Sequence, residues 1–198
     1  MIRCLTSQWH VPYIFNLAKL KQYEFYVISF RHQMAGRDWY LGYRNFPPNV
    51  HHIAIDSLKY LELLKYIDFN LIIMHNVFDI DAFSQAHLIP SIPSVYVFHN
   101  SFFTEFRTYP IDQWTQQRQL VQQKLAQFNI QPIFISEFKR NSYEMNGTII
   151  TPGIDTTSEF PYTYNGIESI ILRICSNLKS RDFMNGYLES NDIIGDQP

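Results

Sequence analysis

The sequence predicts an α/β fold in which a parallel β-sheet is covered by helices on both faces. Short segments rich in β-branched and aromatic residues alternate along the chain with segments of helical periodicity. The strand-like segments are apolar throughout, as expected of strands that are buried on both faces. With 198 residues and 46% hydrophobic content, the chain is long enough for one well-buried core. An α+β domain with some antiparallel pairing is the alternative.

The first thirty or so residues predict a strand, a helix and a second strand. Residues 2–6 form a short apolar run. Residues 11–20 place apolar side chains on one helical face, and Pro12 suits the first turn of that helix because its missing N–H is not needed there. Residues 24–30 are aromatic and β-branched, which is typical of a strand. Residues 31–50 hold glycines and a Pro-Pro pair, and they predict a long irregular loop of the kind that often carries function.

The alternation then continues to residue 151. We predict helices over residues 57–66, 79–86, 114–128 and 137–143, of which the third is long and the second and fourth are short. Between and after them we predict strands over residues 70–74, 94–99, 132–135 and 148–151. Strands alternating with helices in this way favour a Rossmann-like, three-layer domain.

A domain boundary is expected near residue 155. Residues 1–155 form the Rossmann-like domain, and the polar residues 156–169 are a linker. Residues 170–198 begin with a strand and the start of a helix. A strand and a helix cannot bury themselves alone, so this segment packs on the first domain or starts a second one.

Composition excludes several classes of protein. The formal charge of −2 provides no basic field for nucleic acid, which we do not expect as a partner. Cys4 and Cys175 lie in apolar runs without metal-ligand spacing, which favours buried thiols in a reducing compartment. The apolar runs are too short to cross a bilayer, and the start of the chain lacks the layout of a signal peptide. We expect a cytoplasmic protein, with contact at the inner membrane face left open.

Polar residues follow several predicted strands, where a parallel sheet binds its ligands. These residues are Ser7 to His10, Arg31 and His32, His75 and Asn76, His99 to Ser101, and Ser136 with Glu137. His10, His75 and His99 can each act as a general base or bind a sugar hydroxyl. The alternative is that each caps a helix or satisfies a backbone group.

Other motifs provide less information about function. His51 and His52 are adjacent, so they point apart and predict a solvated pair rather than a metal site. GxSxG, Walker A and GxGxxG motifs are absent. In the loop, Arg37 and Arg44 lie among aromatic residues that include Trp39. Rings and forked donors suit a sugar or a phosphorylated acceptor, although packing of a long loop explains them equally well.

Several motifs in order resemble family 4-like glycosyltransferases of the GT-B fold. The end of the first domain, ISEFKRNSYEMNGTIITPGIDTTSEF, resembles the family's [VI]-S-x-x-x-[KR] segment and its later P-x-G-[VI]-D. HV followed by NLAKL resembles the first helix, VFHN resembles the strand that ends in a histidine near the donor sugar, and ICSNLKSR resembles the start of the donor domain. Two departures are Ser7-Gln8-Trp9, where the family has glycines, and Asn177, where the family has arginine.

The resemblance implies a glycosyltransferase that moves a sugar from a nucleotide-sugar donor to a glycan or lipid-linked acceptor. Residues 1–155 are then the acceptor domain and residues 170–198 an incomplete donor domain, so we do not expect this chain to transfer sugar alone. His99 contacts the donor sugar or acts as base. The implied donor and diphosphate contacts are Ser7, Gln8, Ser136, Lys179 and Arg181, and the implied acceptor contacts are Trp9, His10, Arg37, Trp39, Arg44, Asn76 and Asn100.

No metal or other cofactor is expected beside the nucleotide-sugar co-substrate. Two alternatives stay open at this point. One is a degenerate, non-catalytic domain that binds a glycan or a partner. The other is an epimerase of nucleotide sugars on the same architecture. The donor sugar, the acceptor, the stereochemistry of transfer and the oligomeric state also stay open.

Overall fold

The computed structural model describes residues 1–30 and 45–153, and the strands of this part form one seven-stranded sheet. The strands are β1 (Ile2–Ser7), β2 (Tyr23–Phe30), β3 (Val50–Ile55), β4 (Leu71–Met74), β5 (Ser94–Phe98), β6 (Gln131–Phe134) and β7 (Thr148–Ile149). The α-helices are α1 (Val11–Leu17), α2 (Val77–Gln85), α3 (Phe102–Glu105), α4 (Trp114–Gln127) and α5 (Glu137–Tyr143). Two 3₁₀ helices cover Leu58–Tyr66 and Ile111–Gln113.

All neighbouring strands are parallel, in the order β3-β2-β1-β4-β5-β6-β7. The chain starts in the middle of the sheet, builds outward to β3, and then returns to the other side of β1 to add β4 to β7. This order is Rossmann-like, and it confirms the predicted parallel sheet. The direction of building reverses between β1 and β4, and a crevice opens at the carboxyl ends of strands on either side of such a point.

Side chains alternate between the two faces of the sheet, and helices cover both. Leu5 of β1 belongs to the larger core, together with Phe83 of α2 and Leu125 of α4. Its neighbour Cys4 points to the opposite face, where Ile14 of α1 packs. The domain therefore has the three predicted layers, because each buried strand needs an apolar partner on both sides.

One strand was not predicted. β3 (Val50–Ile55) begins at the last residue of the stretch expected to be irregular, and it pairs in parallel with β2, with Val50 opposite Phe25. His51 and His52 interrupt its apolar pattern, which is tolerated because β3 is at the edge of the seven-stranded sheet. The short helix α3 was not predicted either; Ser101 caps it by accepting a hydrogen bond from the backbone N–H of Thr104 at 3.3 Å.

Two predictions from composition concern the cysteines and membrane-spanning helices. Cys4 is buried and free, as predicted, and burial raises the pKa of its thiol to about 11. No helix of residues 1–30 or 45–153 is long and apolar enough to cross a bilayer. The predicted linker, the start of the second domain and Cys175 all lie outside the described residues.

Candidate functional site

The ends of β1, β4 and β5 meet at the point where the strand order reverses. The chain continues from β1 into Gln8, Trp9 and His10, from β4 into His75, and from β5 into His99. The structure therefore brings together the three histidines that follow predicted strands. They come from separate parts of the sequence, and the parallel sheet alone makes them neighbours.

Trp9 is the centre of an aromatic group that we call the histidine cluster: Trp9, His10, Tyr13, His75 and His99. The Trp9 ring stacks on His99 with centroids 4.9 Å apart and planes 16° apart, and it meets His10 edge-on at 5.1 Å. Tyr13 of α1 meets both His75 and His99 edge-on, at 5.1 and 4.9 Å. These contacts hold the His99 imidazole in one plane.

A chain of hydrogen bonds runs from β1 to His99. Thr6 Oγ1 lies 2.9 Å from His75 Nε2, and His75 Nδ1 lies 3.0 Å from His99 Nε2. The Thr6 hydroxyl also donates to the carbonyl oxygen of Ser7 at 3.3 Å. If its proton is used there, His75 Nε2–H donates to Thr6 and His99 Nε2–H donates to His75. This assignment leaves the lone pair of His99 Nδ1 as an acceptor.

Burial keeps both histidines neutral. It lowers the pKa of His75 well below its ordinary value, and unfavourable electrostatic interactions with the protonated forms of His99 and His10 lower it further. Burial likewise lowers the pKa of His99 to about 4, assisted by His10 and Lys139. At neutral pH His99 is therefore an uncharged imidazole, able to accept a hydrogen bond but a weak base.

A buried carboxylate fastens β1 to β4, and sequence reasoning missed it. Asp79 Oδ2 accepts hydrogen bonds from the hydroxyl of Ser7 at 2.5 Å and from the backbone N–H groups of His75 and Asn76 at 2.8 and 2.9 Å. Burial raises the pKa of Asp79, and the hydrogen bond from Ser7 opposes that rise. The signal in the sequence was the spacing Asn76-x-x-Asp79, which is a capping pattern at the start of α2.

Gln8 has a buried amide without a partner. Its side chain follows β1 and is 2% exposed, yet neither Nε2 nor Oε1 has a hydrogen-bond partner among residues 1–30 and 45–153. The amide nitrogen of Asn76, which follows β4, is in the same condition. A buried polar group left unpaired is unfavourable by about 1 to 3 kcal/mol. A polar ligand at the reversal point would satisfy both groups.

A pocket of about 440 Å³ opens beside the histidine cluster, past the ends of β5 and β6. We call it the lysine pocket. It shares one residue with the histidine cluster, and its volume lies within the range of small-molecule sites. Its lining residues are His99, Asn100, Ser101, Phe103, Thr104, Trp114, Phe138 and Lys139.

The other predicted site residues divide into three groups. Ser7 and Ser136 already have structural partners, because Ser7 donates to Asp79 and Ser136 accepts from the backbone N–H of Lys139 at 3.3 Å. Asn100 lines the lysine pocket, although its amide donates to Glu105 at 2.9 Å. The remaining predicted contacts lie outside the described residues: Arg37, Trp39, Arg44, Lys179 and Arg181.

The two adjacent histidines of β3 are not a solvated pair. His51 is exposed, but His52 is half-buried and its Nε2 lies 2.7 Å from the hydroxyl of Ser29. The prediction was wrong for His52, because the strand turns alternate side chains to opposite faces. In the described part of the chain no three His, Cys, Asp or Glu side chains are grouped so that they could hold a metal ion.

No protein-family model matches this chain, and no curated protein matches it.

Proposed function

We propose that the protein is the acceptor-side domain of a glycosyltransferase, with His99 at the donor sugar. The observation that carries the proposal is the convergence of Trp9, His75 and His99 at the point where the strand order reverses. An aromatic ring next to neutral hydrogen-bonding groups suits the hydroxyls and the apolar faces of a sugar.

In the proposed transfer, the bond from the sugar's anomeric carbon to the diphosphate breaks, and its electron pair leaves with the diphosphate. The acceptor hydroxyl forms the new bond to that carbon and loses its proton to the leaving group or to solvent. The pKa of about 4 favours His99 as a hydrogen-bond acceptor for a donor hydroxyl rather than as the base. Gln8, whose amide has no partner among the described residues, and Asn76, whose amide nitrogen has none there, would contact the same donor.

Replacing His99 tests this role. In the full-length protein, with nucleotide-sugar donors and glycan acceptors, we expect His99→Ala to lower turnover about tenfold, because one hydrogen bond to the donor sugar is lost. His51→Gln is the matched control, since His51 is an exposed histidine near the amino end of β3, an edge strand that lies four strands away from β5. Release of nucleoside diphosphate measures the rate. Unchanged turnover in His99→Ala would remove His99 from the site.

A glycan-binding domain without catalysis is the second candidate. The low pKa of His99 favours it, because a histidine that stays neutral and weakly basic contributes to binding without proton transfer. The two functions differ in one measurement. If the protein used in the turnover assay binds glycans, releases no nucleoside diphosphate from the nucleotide sugars and loses glycan affinity in His99→Ala, the transferase proposal fails and the binding domain replaces it.

A further inference from the structure

The lysine pocket combines aromatic walls with polar groups along its lining. The rings of Phe103 and Trp114 lie 5.5 Å apart at 49°. The Trp114 indole N–H donates to the carbonyl oxygen of Tyr109 at 3.1 Å, which fixes the orientation of the ring. Phe138, from α5, leaves 65% of its surface exposed at the pocket. Apolar faces of this kind, with hydroxyl and amide groups near them, are suited to a single sugar ring.

Lys139 gives the pocket its charge. It is half-buried, and among the described residues no carboxylate lies within ion-pair distance of its ammonium. Burial lowers its pKa. No acidic residue is found among those that line the pocket in the described part of the chain. The pocket is therefore electropositive on one side.

The carboxylates close in sequence to Lys139 or to another lining residue have other partners. Glu137 pairs with Arg140 at 3.2 Å, and Glu105 accepts a hydrogen bond from Asn100 at 2.9 Å. Elsewhere in the described ranges, Lys124 is paired with Asp81 at 2.6 Å. A half-buried lysine left unpaired beside a cavity gains most from an anion inside that cavity, since a charged hydrogen bond is stronger where water is partly excluded.

We propose that the lysine pocket binds a sugar ring that carries a carboxylate or a phosphate group, with the anion on Lys139 and the ring against Trp114 and Phe138. The proposal deepens the proposed function, because it makes the acceptor an anionic sugar that enters next to His99. The lining serine, threonine and asparagine side chains would meet the ring hydroxyls. Binding in this pocket does not require transfer, so the two proposals can fail separately.

Direct binding to the full chain, without nucleotide sugar, tests the pocket. The probes are methyl glucuronide for a carboxylate, glucose 6-phosphate for a phosphate, methyl glucoside as the neutral match and inorganic phosphate as the anion alone. Dissociation constants come from titrations followed by protein NMR. We expect at least one anionic sugar to bind about tenfold more tightly than methyl glucoside at low salt. Whichever anionic sugar shows the preference identifies the substituent.

Variants of the lysine separate charge from shape. Lys139→Gln should remove the preference and leave the affinity for methyl glucoside unchanged, whereas Lys139→Arg should keep it. Lys65→Gln is the matched control, because Lys65 lies in the 3₁₀ helix after β3 and does not line this pocket. A preference that survives in Lys139→Gln would overturn the proposal. So would inorganic phosphate that binds as tightly as glucose 6-phosphate, because the site would then hold an anion only.

The combined outcomes are distinguishable. A preference that depends on Lys139, together with no release of nucleoside diphosphate in the turnover assay, would support the pocket and contradict the transferase. Turnover that depends on His99, with no preference for anionic sugars, would contradict the pocket alone.

Discussion

The histidine cluster and the lysine pocket are neighbours that share His99, yet they are built in opposite ways. In the cluster, protein groups satisfy one another: Trp9 is 8% exposed, His75 is 4% exposed, and hydrogen bonds connect Thr6, His75 and His99. In the pocket, Lys139 has no ion-pair partner among the described residues and Phe138 is largely exposed. The first arrangement fixes geometry before any ligand binds, whereas the second leaves the charge of Lys139 and the exposed ring of Phe138 to the ligand.

The comparison predicts that the cluster supports the fold and the pocket does not. The largest effect is expected for Asp79→Ala, next to the cluster, which leaves the Ser7 hydroxyl and the backbone N–H groups of His75 and Asn76 without their acceptor. We expect the free energy of unfolding to fall by about 3 kcal/mol. Asp81→Ala is the matched control on the same helix, and its half-exposed pair with Lys124 should contribute less than about 1 kcal/mol. Urea denaturation measures both, and equal losses would contradict the comparison.

Acid should weaken the cluster through its histidines. Since burial holds the pKa of His99 at about 4, below the ordinary value of 6.5, only the unfolded chain takes up this proton between those two values. Above pH 6.5 the histidine makes no difference to stability, and below it the free energy of unfolding falls. His75, whose pKa is also lowered, acts in the same direction.

The test of this pH dependence is His99→Gln. Its unfolding free energy, measured by urea denaturation from pH 7 to pH 4.5, should fall less steeply than that of the wild type, by up to about 1.4 kcal/mol per pH unit. The control is His51→Gln, at an exposed histidine. Its unfolding free energy should change with pH as that of the wild type does. Superimposable curves for His99→Gln and the wild type would show that His99 titrates normally.

The smallest effect on stability is expected in the pocket. Phe138→Ser changes a side chain that is 65% exposed, so the free energy of unfolding should stay within about 0.5 kcal/mol of the wild type. The same variant should weaken the binding of the preferred anionic sugar about threefold, as about 0.65 kcal/mol of ring contact is lost. Tyr66→Ser, at a site 78% exposed outside the pocket, is the control and should change neither quantity. A clear loss of stability in Phe138→Ser would show that this ring supports the fold.

Much of the fold could be predicted from the sequence because buried parallel strands consist of continuous apolar residues. The runs that became β4 and β5 are of this kind, and helix α5 was predicted at the bounds it has, Glu137–Tyr143. β3 was missed for the converse reason. An edge strand tolerates polar side chains, and His51 and His52 interrupt the apolar pattern by which β3 could have been predicted.

The candidate site was predictable in position but not in its connections. The rule that ligands meet the carboxyl ends of parallel strands selected His75 and His99 without any knowledge of contacts. The role of Asp79 needed the structure, because a first-turn acid on a helix ordinarily faces solvent and only packing shows that this one is buried. The sequence showed Lys139 only as part of a motif. Its place in a pocket could not be predicted, because that pocket is formed by the packing of α3, α4 and α5.

The hydrogen bond between His75 and His99 has a further consequence for the lifetime of a single proton. That proton lies between two ring nitrogens 3.0 Å apart, with Trp9 and Tyr13 around it. Trp9 and His75 are almost completely buried, so we expect the exchange of this proton with solvent to report how often the rings separate. The exchange rate of this one proton is therefore a measure of local opening at the reversal point of the sheet.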